Sequence, residues 1–160
     1  MKTLWKQTLQ LWFFGFFKVP LIFWLRPKVL CLSPEKAVIK IPLKCRAKNH
    51  LNSMYFGALC VGADIAGGIQ VMNVVGGDLK KISFAFKDVH GEFLKRAESD
   101  VYFTCTDGQA IQETLKKSFA SKEREETKVQ VIATTPKLTG EEPVARFTLT
   151  FSVKYRPPKG

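Results

Sequence analysis

Histidine is scarce in this chain: only His50 and His90 occur in 160 residues, which argues against a histidine-rich metal site. The four cysteines, Cys31, Cys45, Cys60 and Cys105, follow neither zinc-ligand nor Cys-x-x-Cys spacing. They read as small buried hydrophobes of a reducing compartment, so no metal is expected, and a cytoplasmic location or the inner face of a membrane is. Acidic residues are also few, 14 against 25 basic, for a net charge of +11. That balance favours anionic partners such as nucleic acid, acidic lipid or a phosphorylated small molecule. No basic stripe marks a nucleic-acid groove, so nucleic acid is not expected as a partner. Long hydrophobic runs are missing. The longest, Leu11 to Phe17 and Val19 to Leu25, hold seven residues each, too few to cross a bilayer. No small-residue cleavage site follows them, which excludes a signal-peptide reading. Repeats and low-complexity segments are absent too.

What is present divides into an N-terminal helical segment (1–26), one domain (27–156) and a short frayed tail (157–160). A chain of this length can bury one substantial core. In the first segment Leu4, Trp5, Leu9, Trp12, Phe13, Phe16 and Phe17 recur at helical spacing, with Lys6, Gln7 and Gln10 opposite. Pro20 bends or ends this amphipathic helix. The apolar stripe either packs on the domain or on a partner subunit, or lies in a membrane interface through residues 4–25.

Beyond Pro27 the pattern is strands around one helix. Val29 to Leu32 and Ala37 to Leu43 are strand-like, with a turn at Pro34-Glu35. Asn52 or Ser53 is placed to cap a helix that runs to about Ala66, where Gly67 and Gly68 stop it. Ile69 to Val75 fits either more helix or a strand. Gly76-Gly77-Asp78 reads as a turn, Leu79 to Val89 as a strand, and His90-Gly91 as another turn. Leu94 to Thr106 reads as a strand, and Asp107 as the N-cap of a helix over Gln109 to Arg124. Lys128 to Thr135 and Ala145 to Tyr155 alternate as strands joined by a loop from Pro136 to Pro143. This order predicts an α+β fold, an antiparallel sheet against one central helix. The central helix carries Gly57, Ala58, Cys60, Gly62, Ala63 and Ala66, small residues that let a helix lie close to a sheet. Each glycine costs about 1 kcal/mol of helix propensity relative to alanine, so this helix has to be enclosed.

Asp64 is the single carboxylate on that helix. The stretch Asn49 to Gly68 resembles the signature of the hotdog-fold acyl-CoA thioesterases, in their phenylacetyl-CoA thioesterase-like branch. That signature is an Asn, a polar loop, His-Gly-Gly opening the central helix, and Ala-Asp beyond it. Here Tyr55-Phe56-Gly57 stands at the His-Gly-Gly positions and Ala63-Asp64 at the Ala-Asp positions. The segment Arg46-Ala-Lys-Asn-His-Leu-Asn-Ser-Met-Tyr-Phe-Gly-Ala-Leu is similar to an uncharacterised hotdog subgroup, known mainly as a domain of unknown function. The resemblance implies a hotdog fold, an acyl-CoA substrate, no cofactor beyond the coenzyme A of that substrate, and a site across the interface of a homodimer or homotetramer. It implies Asp64 as nucleophile or as base for water, with Gly57 N–H as oxyanion donor and Asn49 orienting water or the thioester carbonyl. Tyr55, Phe56 and Asn52 fall where substrate would be contacted. Tyr55 is a poor base at neutral pH, and Phe56 adds bulk where the backbone approaches ligand. A non-catalytic acyl-CoA or fatty-acyl binder is therefore the alternative.

Overall fold

A computed structural model of the chain describes residues 1–75 and 81–156, with the Asn73 side chain left aside. The expected turn at Gly76-Gly77-Asp78, the start of the Leu79 strand and the tail 157–160 lie outside these residues. Two helices come first, α1 (Trp5–Lys18) and α2 (Pro20–Leu25), separated at the residue before Pro20. Strands β1 (Lys28–Leu32) and β2 (Ala37–Ile41) form a hairpin, followed by a single 3-10 turn over Cys45–Ala47 and helix α3 (Phe56–Val74). Strands β3 (Ile82–Phe93) and β4 (Val101–Cys105), helix α4 (Gly108–Ser121), strand β5 (Arg124–Thr134), the short helix α5 (Pro136–Thr139) and strand β6 (Pro143–Tyr155) complete it. The strands form one antiparallel sheet in the order β1-β2-β4-β5-β6-β3.

Alternation aims one face of the sheet at α3. Val101, Phe103 and Cys105 of β4 are buried, as are Val129, Val131 and Ala133 of β5 and Phe147, Leu149, Phe151 and Val153 of β6. Asp64 aside, helix α3 carries no charged residue and its apolar residues lie all round it, the pattern of a helix largely enclosed by its surroundings. Gly62 marks its closest approach to the sheet, where a Cβ would stand 2.3 Å from the Phe103 ring. Its three interior glycines, Gly62, Gly67 and Gly68, cost together about 3 kcal/mol of helix propensity. Burying Leu59, Ile65, Ile69 and Val71 returns about 1.5–3 kcal/mol each, so burial wins. The result is the hotdog arrangement, a sheet around a central helix, with an additional helical pair in front of it.

The helical pair is tied to β1. Leu4 N–H donates to Val29 O at 2.8 Å, and Val29 N–H donates to Thr8 Oγ1 at 3.0 Å. Trp12 Nε1 donates to Pro27 O at 2.7 Å. At Gly15 a Cβ would stand 2.8 Å from Phe23 N, so α1 and α2 meet almost backbone to backbone. Leu11, Ile22 and Leu25 join the core.

Several local expectations are corrected. Helix α3 does not stop at Gly67-Gly68 but runs to Val74, because Phe84 and Phe86 of β3 pack over both glycines and hold the helix closed. Its N-cap is Tyr55 rather than Asn52 or Ser53; Asn52 turns the chain at φ 60, and Ser53 is buried against Asn49. His90-Gly91 is not a turn. Strand β3 passes through it, paired to Thr148 and Phe147, and bends instead at an irregularity between Phe86 and Val89. The strand read from Leu94 begins only at Val101, and the Pro136 loop contains α5. Asp107 takes the N-cap position of α4, but its carboxylate accepts from Gln130 N–H instead of the helix. Of the four cysteines only Cys105 is buried, and Cys45 is exposed.

For α1, most of the stripe does not pack on the domain, which was one of the placements its spacing left open. The aromatic stripe faces outward: Trp5, Leu9, Phe13, Phe16 and Phe17 are all more than half exposed. The face that docks is the inconspicuous one, Thr8, Leu11 and Gly15.

Candidate active site

Asp64 projects from the middle of α3 at the mouth of a half-open pocket. Leu11, Phe14 and Ile22 of the helical pair form one wall. Ile65, Gly68, Ile69 and Met72 of α3 form the floor, and Phe84 of β3 closes the side. Asp64 is the only charged group in this lining. Its side chain reaches solvent at the pocket mouth, yet it stands among enough protein that desolvation raises its carboxyl pKa. Its accessibility tempers the size of that effect but not its sign. Ala63 and Ile65 on either side are buried, so the helix cannot rotate to carry the carboxylate away from the pocket.

The other expected residues gather elsewhere, around the start of α3. Asn49 is spent on its own loop. Its Oδ1 accepts from Leu51 N–H at 2.9 Å and Ser53 N–H at 3.2 Å, and its amide contacts Ser53 Oγ at 3.1 Å. This closes the loop that delivers Met54 and Tyr55 to the helix, where Met54 N–H donates to Ala97 O and Tyr55 N–H to Ala47 O, both at 2.8 Å. Asn52 is exposed on the loop. Tyr55 and Phe56 are exposed at 49% and 57%, their rings 4.9 Å apart, and Phe56 meets Phe93 edge-on at 6.2 Å. Tyr55 is therefore no core aromatic.

Gly57 is the second residue of α3, and no side chain caps that first turn. Its N–H has no acceptor within the helix and lies at the positive end of the dipole. The Tyr55 ring packs directly against its Cα; a Cβ there would fall 2.5 Å from the ring. Gly57 and Asp64 are seven residues apart, on one face of the helix but about 10 Å apart along its axis. One chain thus brings Asn49, Asn52, Tyr55, Phe56 and Gly57 together and holds Asp64 apart. No cluster of possible metal ligands occurs among the described residues.

The pocket wall from α1 and α2 had no place in the sequence reading. The signal for it was present in the small residues Thr8 and Gly15, which mark a docking face on α1 as Gly62 does on α3.

Comparison with known structures agrees with this architecture. A Pseudomonas aeruginosa protein described as a probable thioesterase superposes with a TM-score of 0.74 at 18% identity, covering 93% of this chain and 96% of its own. A Chlorobaculum tepidum protein of unknown function gives 0.79 at 11% identity, covering 96% and 98%. A putative thioesterase from Shewanella oneidensis gives 0.74 at 14%, covering 92% and 96%. No curated protein matches. Sheet, central helix and these likenesses define a hotdog-fold domain. The chain belongs to the family described as domain of unknown function DUF4442, whose model matches residues 7–153.

Proposed function

We propose that this chain hydrolyses an acyl-CoA thioester, with Asp64 as the base that activates water or as the nucleophile. The observation that carries the reading is a lone carboxylate, raised in pKa, at the mouth of an otherwise apolar pocket. The acyl chain would lie against Leu11, Phe14, Ile69 and Phe84. In the base route Asp64 takes a proton from water as the oxygen attacks the thioester carbonyl carbon. The tetrahedral oxyanion then collapses, the C–S bond breaks, and the proton passes from Asp64 to the departing CoA thiolate. Gly57 N–H is the oxyanion donor. Its two-turn separation from Asp64 requires the donor and the base of one site to come from two copies, in a homodimer or homotetramer. Asn49 acts by closing the loop that sets the start of α3. Tyr55, Phe56 and Asn52 form the rim that substrate crosses.

Thiol release from a panel of acyl-CoAs tests this. Asp64→Ala is expected to lower kcat/KM by about 10²–10⁴-fold. Equal activity in both proteins would overturn the assignment. The alternative, a binder without turnover, is favoured by one observation: the Tyr55 ring lies over Gly57. Saturable acyl-CoA binding with no thiol release from the native chain would select it.

The raised pKa gives a second test. A folded-state pKa above the unfolded value of about 3.9 means that the folded state keeps its proton longer. Stability is therefore highest below the unfolded pKa and declines as pH rises through the folded one. Activity, which needs the carboxylate, rises through the same window. Asp64→Asn is expected to lose activity yet melt higher than the native chain above that window, with the difference closing below about pH 4.

A further inference from the structure

We infer that the outer face of the α1–α2 pair is a docking surface for an anionic lipid membrane. Trp5, Phe13, Phe16, Phe17, Leu21 and Trp24 are each 54–68% exposed on this face, an apolar patch that none of the described residues covers. The charge around it is of one sign. Residues 1–34 contain Lys2, Lys6, Lys18, Arg26 and Lys28 and no acid; the first carboxylate is Glu35. Cations sit beside the rings: Lys28 Nζ lies 5.7 Å from the Trp5 centroid, and the Arg46 guanidinium 5.3 Å from that of Trp24. Arg26 stacks on both Phe23 and Trp12, at 4.0 and 4.8 Å.

Exposed aromatics with interleaved cations are the chemistry of a headgroup–acyl boundary. A second copy is a poorer occupant, because two such faces would bring cations against cations with no acid to neutralise them. Nor does the pair cross a bilayer: no helix among the described residues is long and apolar enough. It lies flat, held by the Val29 hydrogen bonds and the inward Leu11 and Ile22. Docking in this way is independent of whether Asp64 turns over.

Flotation of the full chain with phosphatidylcholine vesicles, with and without phosphatidylglycerol, tests the inference. The chain should float with the anionic vesicles, and added salt should release it. Phe13→Ser, Phe17→Ser and Trp24→Ser together should lower the bound fraction by about tenfold or more while leaving the circular dichroism and gel-filtration volume unchanged. Should that variant not fold, brominated lipids are to be added to the native chain, where quenching of tryptophan fluorescence is expected. Asp64→Asn should float like the native chain, so that loss of hydrolysis and loss of lipid binding are read apart. The inference is overturned if the folded chain stays with the soluble fraction, if the triple variant floats equally well, or if the substitutions shift the oligomeric state instead.

Discussion

Helix α1 and helix α3 are both dominated by apolar residues, and they differ in what they leave outside. Helix α3 encloses its smallest residues, Gly62, Ala63, Ala66 and Gly67, against the sheet. Helix α1 encloses Thr8, Leu11 and Gly15 and leaves Phe13, Phe16 and Phe17 outside. In both, small residues mark the face where backbones approach, and bulk marks the face turned elsewhere. Side-chain size, more than hydrophobicity, tells which side of a helix this fold grips.

Four substitutions test that contrast by chemical denaturation. Leu11→Ala removes the main inward anchor of α1 and is expected to cost about 2–5 kcal/mol. Gly62→Ala comes next, at about 1–3 kcal/mol, because its methyl would overlap the Phe103 ring. Gly68→Ala has the opposite sign. Its Cβ would meet nothing nearer than 3.7 Å, so relief of glycine's helix penalty should stabilise by about 0.5–1 kcal/mol, while the new methyl narrows the pocket beside Asp64. Phe13→Ser, which removes a far larger apolar group, should shift stability by no more than about 0.5 kcal/mol, since that ring is 68% exposed. A large loss on Phe13→Ser would mean that the outer face of α1 is covered in solution, and would erase the contrast.

The fold was legible because its signals are local. Alternation at Val101-Phe103-Cys105 and Val129-Val131-Ala133, together with the small-residue stretch from Gly57 to Ala66, requires only neighbouring residues to be read. The errors arose where distant residues decide. Gly67-Gly68 looks like a helix stop until Phe84 and Phe86 pack over it, and His90-Gly91 looks like a turn until β6 pairs alongside. Asp107 caps nothing because Gln130 claims it. The candidate site divides in the same way. Asp64 stands out in the sequence, as does the Asn49 loop, but the wall that makes a pocket comes from Leu11, Phe14 and Ile22, more than forty residues earlier. The stripe on α1 was read with the correct period but with its occupant left open between domain, second subunit and membrane, since periodicity gives a face but not its direction.

The sheet has two ends, and they are not alike. At β1 both main-chain groups of Val29 are taken by Leu4 and Thr8, whereas among the described residues β3, twelve residues long, pairs with β6 on one side only. Among the described residues, β3 is therefore the more open place for strand addition. Two chains that join through β3 use up each other's free edge, and the capped ends then face outward. In such a pair growth along the sheet would stop at two, and the helical pair would be the terminator that separates a finite assembly from a fibre.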